Sequence, residues 1–133
     1  MNLLDTNIFI RFILPDDPAR AARCAKLLDS VAAGRERAIV TPMALAEVTW
    51  VLLGACRISK PNVIETLRRI LNTGKLEIVD REILIRGLDL FESHAIDFID
   101  AYHTAFMESR SIQTIYSYDT DFDQIPGITR REP

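Results

Sequence analysis

The chain has 133 residues, 48% of them hydrophobic and 26% charged, with a formal net charge of −3. A chain of this size and make-up suits one globular domain with its own core, and charged residues interrupt every apolar run, which excludes a membrane-spanning helix. A nucleic-acid binder that works by coating phosphates is normally basic, so the acidic balance means either that nucleic acid is not the partner or that metal ions supply the missing positive charge.

Residues 2–5 begin as a short apolar run and end in the charge of Asp5. The stretch Ile8 to Leu14 is short and stops at Pro15. Because Asp5 and then Arg11 break the first apolar stretch, no signal peptide is expected, and the expected location is the cytoplasm. Asp17-Pro18 starts a helix, with proline preset at the first helical position; it runs to about Ala33 and stops at Gly34. Residues 38–41 read as a second strand. Thr41-Pro42 repeats the cap-and-proline signature, and a helix follows to about Cys56. Ser59 caps the next helix, which ends at Gly74. Residues 76–79 form a third strand, and Asp80 caps a helix through about Glu92. Asp97 caps the helix that runs to about Ser109, residues 112–117 form a fourth strand, a polar turn covers Asp119 to Gln124, and Ile128-Thr129 form a last strand. Cys24 and Cys56 stand far apart with no Cys-x-x-Cys partner, so both read as reduced, half-buried packing residues.

Strands alternating with helices predict an α/β fold: parallel strands buried on both faces and flanked by helices. Ligand sites in such folds lie at the carboxyl ends of the strands, here just after residues 5, 41, 79 and 117.

Acids and hydroxyls stand at several of these places. Asp5 ends the first strand, with Thr6 and Asn7 behind it, and its plain structural role is to cap a short helix. Glu47 is the one charge between Arg37 and Arg57. Its helical neighbours Met43, Ala44, Trp50, Val51 and Gly54 are apolar or small, so a cation or hydrogen bonds must compensate its desolvation. Asp97 and Asp100 share a first turn; capping explains one of them and leaves the other free for chemistry. Asp119, Asp121 and Asp123 follow the fourth strand, and Asp123 reads as a solvated turn residue. Gathered carboxylates repel one another unless a cation lies between them. Hard divalent ions such as Mg²⁺ and Mn²⁺ take oxygen ligands, and a cation there can activate water and hold a phosphate. Phosphodiester hydrolysis is the reaction class that follows.

Together these pieces resemble the PIN-domain ribonucleases, and most of all the small VapC-type toxins of bacterial toxin–antitoxin pairs. The matching segments are Leu-Leu-Asp5-Thr6-Asn7, Thr41-Pro42 with Glu47, Asp97-Phe98-Ile99-Asp100-Ala101, Ser117-Tyr118-Asp119-Thr120-Asp121-Phe122 and the tail Ile125-Pro126-Gly127-Ile128. The resemblance implies one PIN-like domain over residues 1–133, an α/β/α sandwich with a short parallel sheet of four to five strands. It implies that Asp5, Glu47 and Asp100 are the principal catalytic metal ligands and Asp119 the fourth acid, with Asp121 its rival. Thr6, Asn7 and Ser117 become supporting polar groups; Ser117 stands where the family often has threonine, a swap that keeps the hydroxyl. The implied activity is Mg²⁺- or Mn²⁺-dependent endonucleolytic cleavage of RNA by a homodimer that a small antitoxin protein blocks, with no membrane partner.

Arg11, just past the first acid, is the candidate RNA contact. Arg20, Arg23 and Lys26, and separately Arg68 and Arg69, read first as solvated surface, with phosphate contact as the functional alternative. His103 stands three residues after Asp100, but the hard-metal reading does not need it, and His94 reads as exposed. Trp50, Phe91, Phe98 and Phe106 read as core or dimer-interface residues. Two other functions compete. A phosphohydrolase of the haloacid dehalogenase type also begins with an acid after its first strand, but it needs a second acid where Asn7 stands. An inactive PIN-like module would only hold a partner, and the full set of acids argues against it. A response-regulator receiver stands further off than these two, since it needs an acidic pair after the first strand, where this chain has the single acid Asp5.

Overall fold

A computed structural model describes residues 1–14 and 16–133. Pro15, expected to end the stretch Ile8 to Leu14, lies outside the described residues. The chain divides into two compact units, Met1–Asp80 and Arg81–Pro133.

The first unit carries β1 (Asn2–Leu3), α1 (Thr6–Ile13), α2 (Pro18–Ala32), β2 (Ala38–Val40), α3 (Pro42–Leu53), α4 (Lys60–Leu71) and β3 (Glu77–Ile78). Its three strands pair in parallel in the order β1-β2-β3, with Leu3 opposite Ile39 and Val40 opposite Ile78. Each parallel step needs a long crossover, and a pair of helices supplies it both times. Asp17 and Thr41 cap α2 and α3 through their side chains, each with proline at the start of the helix, as expected. Ser59 occupies the cap position of α4 but makes no side-chain cap bond. The helix also ends earlier than Gly74, at Leu71, with Asn72 as its C-cap. Gly34, at φ 75°, closes α2 in the left-handed region that glycine adopts at little cost.

Burial corrects the expectation that the strands are covered on both faces. Central β2 is buried at Ala38 and Val40, whereas Asn2 and Leu3 on the edge strand β1 are exposed. In a sheet this small, only the middle strand has neighbours on both sides. The core of this unit comes from Phe9, Val31, Val40, Leu45, Val48, Leu52, Val63 and Leu67. Both cysteines are free, Cys24 buried and Cys56 half-buried.

The second unit carries α5 (Arg81–Ser93), α6 (Phe98–Ser109), β4 (Thr114–Tyr116), a 3₁₀ turn (Thr120–Gln124) and β5 (Thr129–Arg131). Strands β4 and β5 form a second parallel ladder, with Thr114 opposite Thr129. Among the described residues the pairing is parallel within each ladder, three strands in the first unit and two in the second. Asp80, read as the cap of α5, has φ 56°, in the left-handed region rather than the extended conformation of the other caps. Helices α5 and α6 pack closely at Gly87, where a Cβ would lie 3.3 Å from the Cα of Tyr102. Leu84, Leu88, Phe91, Phe98, Ala101 and Ala105 fill the space between them, with Phe91 and Phe98 edge to face at 5.8 Å.

Three threonines are the buried polar residues among those described, and each is satisfied. Thr49 and Thr104 donate to the carbonyls of Leu45 and Asp100, both at 2.8 Å, and Thr6 donates to Glu47. No helix among the described residues is long and apolar enough to cross a membrane.

Candidate metal centre

In the first unit, Asp5 follows β1 and caps α1. Its Oδ2 accepts from the Asn7 side-chain amide at 3.0 Å and from the Asn7 backbone amide at 3.5 Å. That leaves the exposed carboxylate anchored on one side and open on the other. Asn7 is thus a donor fixing Asp5, where the haloacid dehalogenase reading needs an acid that gives and takes a proton.

Glu47 rises from the middle of α3. The Thr6 hydroxyl, buried at 4% exposure, donates to Glu47 Oε2 at 2.7 Å. The expected desolvation of Glu47 is not observed: the residue is exposed, and its apolar neighbours Met43 and Trp50 are 80% and 66% exposed. The face is apolar in composition but faces outward, so sequence hydrophobicity misreads it as core. The same fact removes the core reading of Trp50.

In the second unit, three acids converge. Asp97 caps α6, accepting from the Asp100 amide at 2.9 Å, which fixes Asp100 in the third position of the first turn. After β4 the chain turns twice through side-chain bonds. Ser117 Oγ accepts from the Asp119 amide and Asp119 Oδ1 from the Asp121 amide, both at 2.9 Å. Buried Phe122 anchors the turn between the exposed Asp121 and Asp123. As a result, one carboxylate oxygen each from Asp100, Asp119 and Asp121 lie within 4.8 Å of one another. Asp121, held as an alternative to Asp119, stands beside it instead.

The electrostatics of the trio follow from this crowding. Burial, then the charges of Asp97, Asp119 and Asp121 and a hydrogen bond with Asp119, raise the Asp100 carboxyl from 3.8 to about 6. Three hard oxygen donors that repel one another at this spacing fit a divalent cation of the Mg²⁺ or Mn²⁺ kind, which would relieve the repulsion.

The remaining candidates have other partners. Asp123 is tied to Arg130 by two bonds, at 2.9 and 3.2 Å, and Arg130 also donates to the Ser117 carbonyl at 3.0 Å, so Asp123 braces the turn. Hydrogen bonds to Asp123 and Glu132 raise the Arg130 pKa further. His103 is exposed with its ring near Tyr102 and does not join the acidic trio. His94, expected to be exposed, is half-buried and lies 2.9 Å from Ser93 Oγ. Arg11 is half-buried and ion-paired with Asp16 at 3.4 Å.

No curated protein matches the chain. Among solved structures it is similar to the crystal structure of VapC20 of Mycobacterium tuberculosis, described as a toxin that cleaves the Sarcin-Ricin loop. That likeness covers 92% of this chain and 93% of the other, at 19% identity and a TM-score of 0.42. The PIN domain family matches residues 3–128, and the chain belongs to that family.

Proposed function

We propose that the chain is an endoribonuclease that hydrolyses RNA phosphodiester bonds with Mg²⁺ or Mn²⁺ and serves as the toxin of a toxin–antitoxin pair. The single observation that carries this reading is the Asp100–Asp119–Asp121 trio, with its ligand oxygens within 4.8 Å, in a chain that belongs to the PIN family. In this reading residues 1–133 form one PIN-like domain, Asp5, Glu47, Asp100 and Asp119 are the catalytic acids, and Asp121 assists Asp119. When bound, the divalent cation supplies a Lewis acid for the phosphodiester and a more acidic water.

The chain's own residues prepare that site. Asn7 holds Asp5, the Thr6 hydroxyl orients Glu47, and Ser117 sets the turn that presents Asp119. Arg11 contacts RNA beyond the acids. Met43 and Trp50, exposed in the single chain, form apolar surface of the kind a second copy covers, which supports a homodimer. A cavity of about 530 Å³, lined by Phe9, Phe12, Ile13, Leu28 and Ile70 with Asp29 and Arg69 beside them, is suited to an amphipathic segment of the antitoxin.

The test is cleavage of RNA by purified protein. Cutting is expected with Mg²⁺ or Mn²⁺ and should stop with EDTA. If Asp5→Asn and Asp100→Asn proteins cut as fast as the parent, the proposal is wrong. Divalent-metal binding absent in calorimetry would instead mark an inactive PIN-like module.

A further inference from the structure

Helices α1 and α2 flank an open cavity of about 440 Å³ whose floor includes Ile8, Cys24 and Leu27 and whose polar lining is Asn7, Arg11, Arg20 and Arg23. Three arginines lining one cavity gather positive charge locally in a chain with a net charge of −3. Two of them have weak partners: Arg11 meets Asp16 at 3.4 Å, and Arg20 meets Asp17, the cap of its own helix, also at 3.4 Å. Both pairs are substantially exposed, so each is readily exchanged for a better anion. Arg23 has no ion-pair partner among the described residues. The spacing explains the arrangement: Arg20 and Arg23 are three residues apart and share one face of α2, while Arg11 comes from α1. Asn7 joins the two regions, since it lines this cavity and also donates to Asp5.

We infer that this cavity is a phosphate subsite for the RNA strand, in which Arg11, Arg20 and Arg23 hold a backbone phosphate one or more nucleotides from the bond cut near Asp5. Guanidinium groups suit this task because their planar donor forks match phosphate oxygens two at a time. The inference rests on the RNA-cleaving reading and deepens it: the acids handle the scissile group with a cation, and the arginines hold the strand without one. Specificity for sequence does not arise here, because a phosphate contact positions the strand and reads no base.

The experiment measures binding and cutting separately. Fluorescence anisotropy of a labelled single-stranded RNA follows binding to the full chain in EDTA over a series of salt concentrations, and initial rates in Mn²⁺ follow cleavage. The double variant Arg20→Gln, Arg23→Gln is expected to bind on the order of tenfold more weakly at low salt. Its salt slope should be shallower by about 0.7 for each phosphate that is no longer neutralised, and KM should rise with kcat nearly unchanged. Arg37→Gln, which removes an arginine paired with Glu77 outside this cavity, serves as the comparison and should match the parent. Thermal melting confirms that the variants fold.

Folded variants with the parent's affinity and salt slope overturn the subsite, even if the parent cuts RNA well. Weaker binding with an unchanged slope overturns it too, since that marks a structural effect. If the variants keep RNA affinity and lose affinity for poly-glutamate, the cavity docks an acidic protein segment and the inference is wrong. A parent chain that binds the RNA with the expected slope change in the variants, yet cuts nothing in Mn²⁺, sinks the nuclease reading and leaves the subsite standing.

Discussion

The hydroxyl of Thr6 donates a 2.7 Å hydrogen bond to Oε2 of Glu47, joining the first turn of α1 to the middle of α3 across 41 residues of sequence. Thr6 is buried and Glu47 exposed, so the bond reaches from the core to the surface and fixes which way an otherwise free carboxylate points. Replacing Thr6 with valine keeps the shape and removes the donor. Thr6→Val is expected to cost about 1 kcal/mol of stability and to slow RNA cleavage roughly tenfold, in the range of lost outer-shell support. Thr6→Ser should restore both in urea denaturation and cleavage assays.

Asp97 is a helix cap, bonded to the Asp100 amide, and its charge also raises the Asp100 carboxyl. The two roles separate by substitution. Asp97→Ser keeps a capping oxygen and should retain stability, whereas Asp97→Ala should lose about 1 kcal/mol. Both remove the charge and are expected to lower the Asp100 pKa, which carbon-detected NMR titration of the carboxyl reads directly.

The Asp100 carboxyl stands at about 6, above its ordinary 3.8, with burial as the largest cause. The folded chain therefore prefers the neutral form. The stability this contributes is full below the ordinary value and is lost as pH rises through about 6. Without metal, the melting temperature of the parent should fall relative to Asp100→Asn on going from about pH 4 to pH 7. Added Mn²⁺ should raise the parent's melting temperature at pH 7 more than near pH 5, where protons compete for the same oxygens.

Asp121 and Asp123 lie two residues apart and face different partners, the acidic trio and Arg130. Asp121→Asn is expected to weaken Mn²⁺ binding on the order of tenfold while leaving thermal stability nearly unchanged, taking the range for groups supporting a metal site. Asp123→Asn should do the reverse, loosening the turn and lowering the melting temperature. Calorimetric metal titration with a thermal melt distinguishes them.

At Gly87 a Cβ would sit 3.3 Å from the Tyr102 Cα, tighter than an ordinary contact, so the facing backbone must give by a few tenths of an ångström. Gly87→Ala gains about 1 kcal/mol of helix propensity but crowds the facing α6 backbone, and the net expected loss is on the order of 1 kcal/mol in denaturant unfolding.

Local chemistry makes much of this fold legible. Asp17-Pro18, Thr41-Pro42, Gly34 and Asp97 mark helix ends through their own side chains or backbone preferences, and the helices begin or end where those residues stand. Strand edges are less legible. Residues 112–117 pair only over Thr114–Tyr116, and the last strand is Thr129–Arg131 rather than Ile128-Thr129, because the partner strand decides where a ladder begins and ends. Ser59 takes the extended conformation of a cap yet makes no side-chain cap bond, and Asp80 stands in the left-handed region instead of the extended one. Glu47 and Trp50 read as desolvated from sequence because composition along α3 does not say which face meets the core. Asp121 enters the trio through two consecutive side-chain turns, and the signal for it lies in Ser117-x-Asp119-x-Asp121, each side chain able to hold the amide two residues on. The arginine-lined cavity needs the folded chain to be seen, since its wall combines α1 with α2.

The central claim is that this acidic centre cuts RNA with the help of a divalent cation. Its most direct test is the single-turnover rate at which Asp100→Asn protein cleaves a labelled RNA in saturating Mn²⁺, compared with the parent under the same conditions. Loss of a carboxylate that binds the cation should slow cleavage by about 100-fold or more, beyond the range for outer-shell groups. A rate within a factor of about two of the parent, from a folded variant, would contradict the claim.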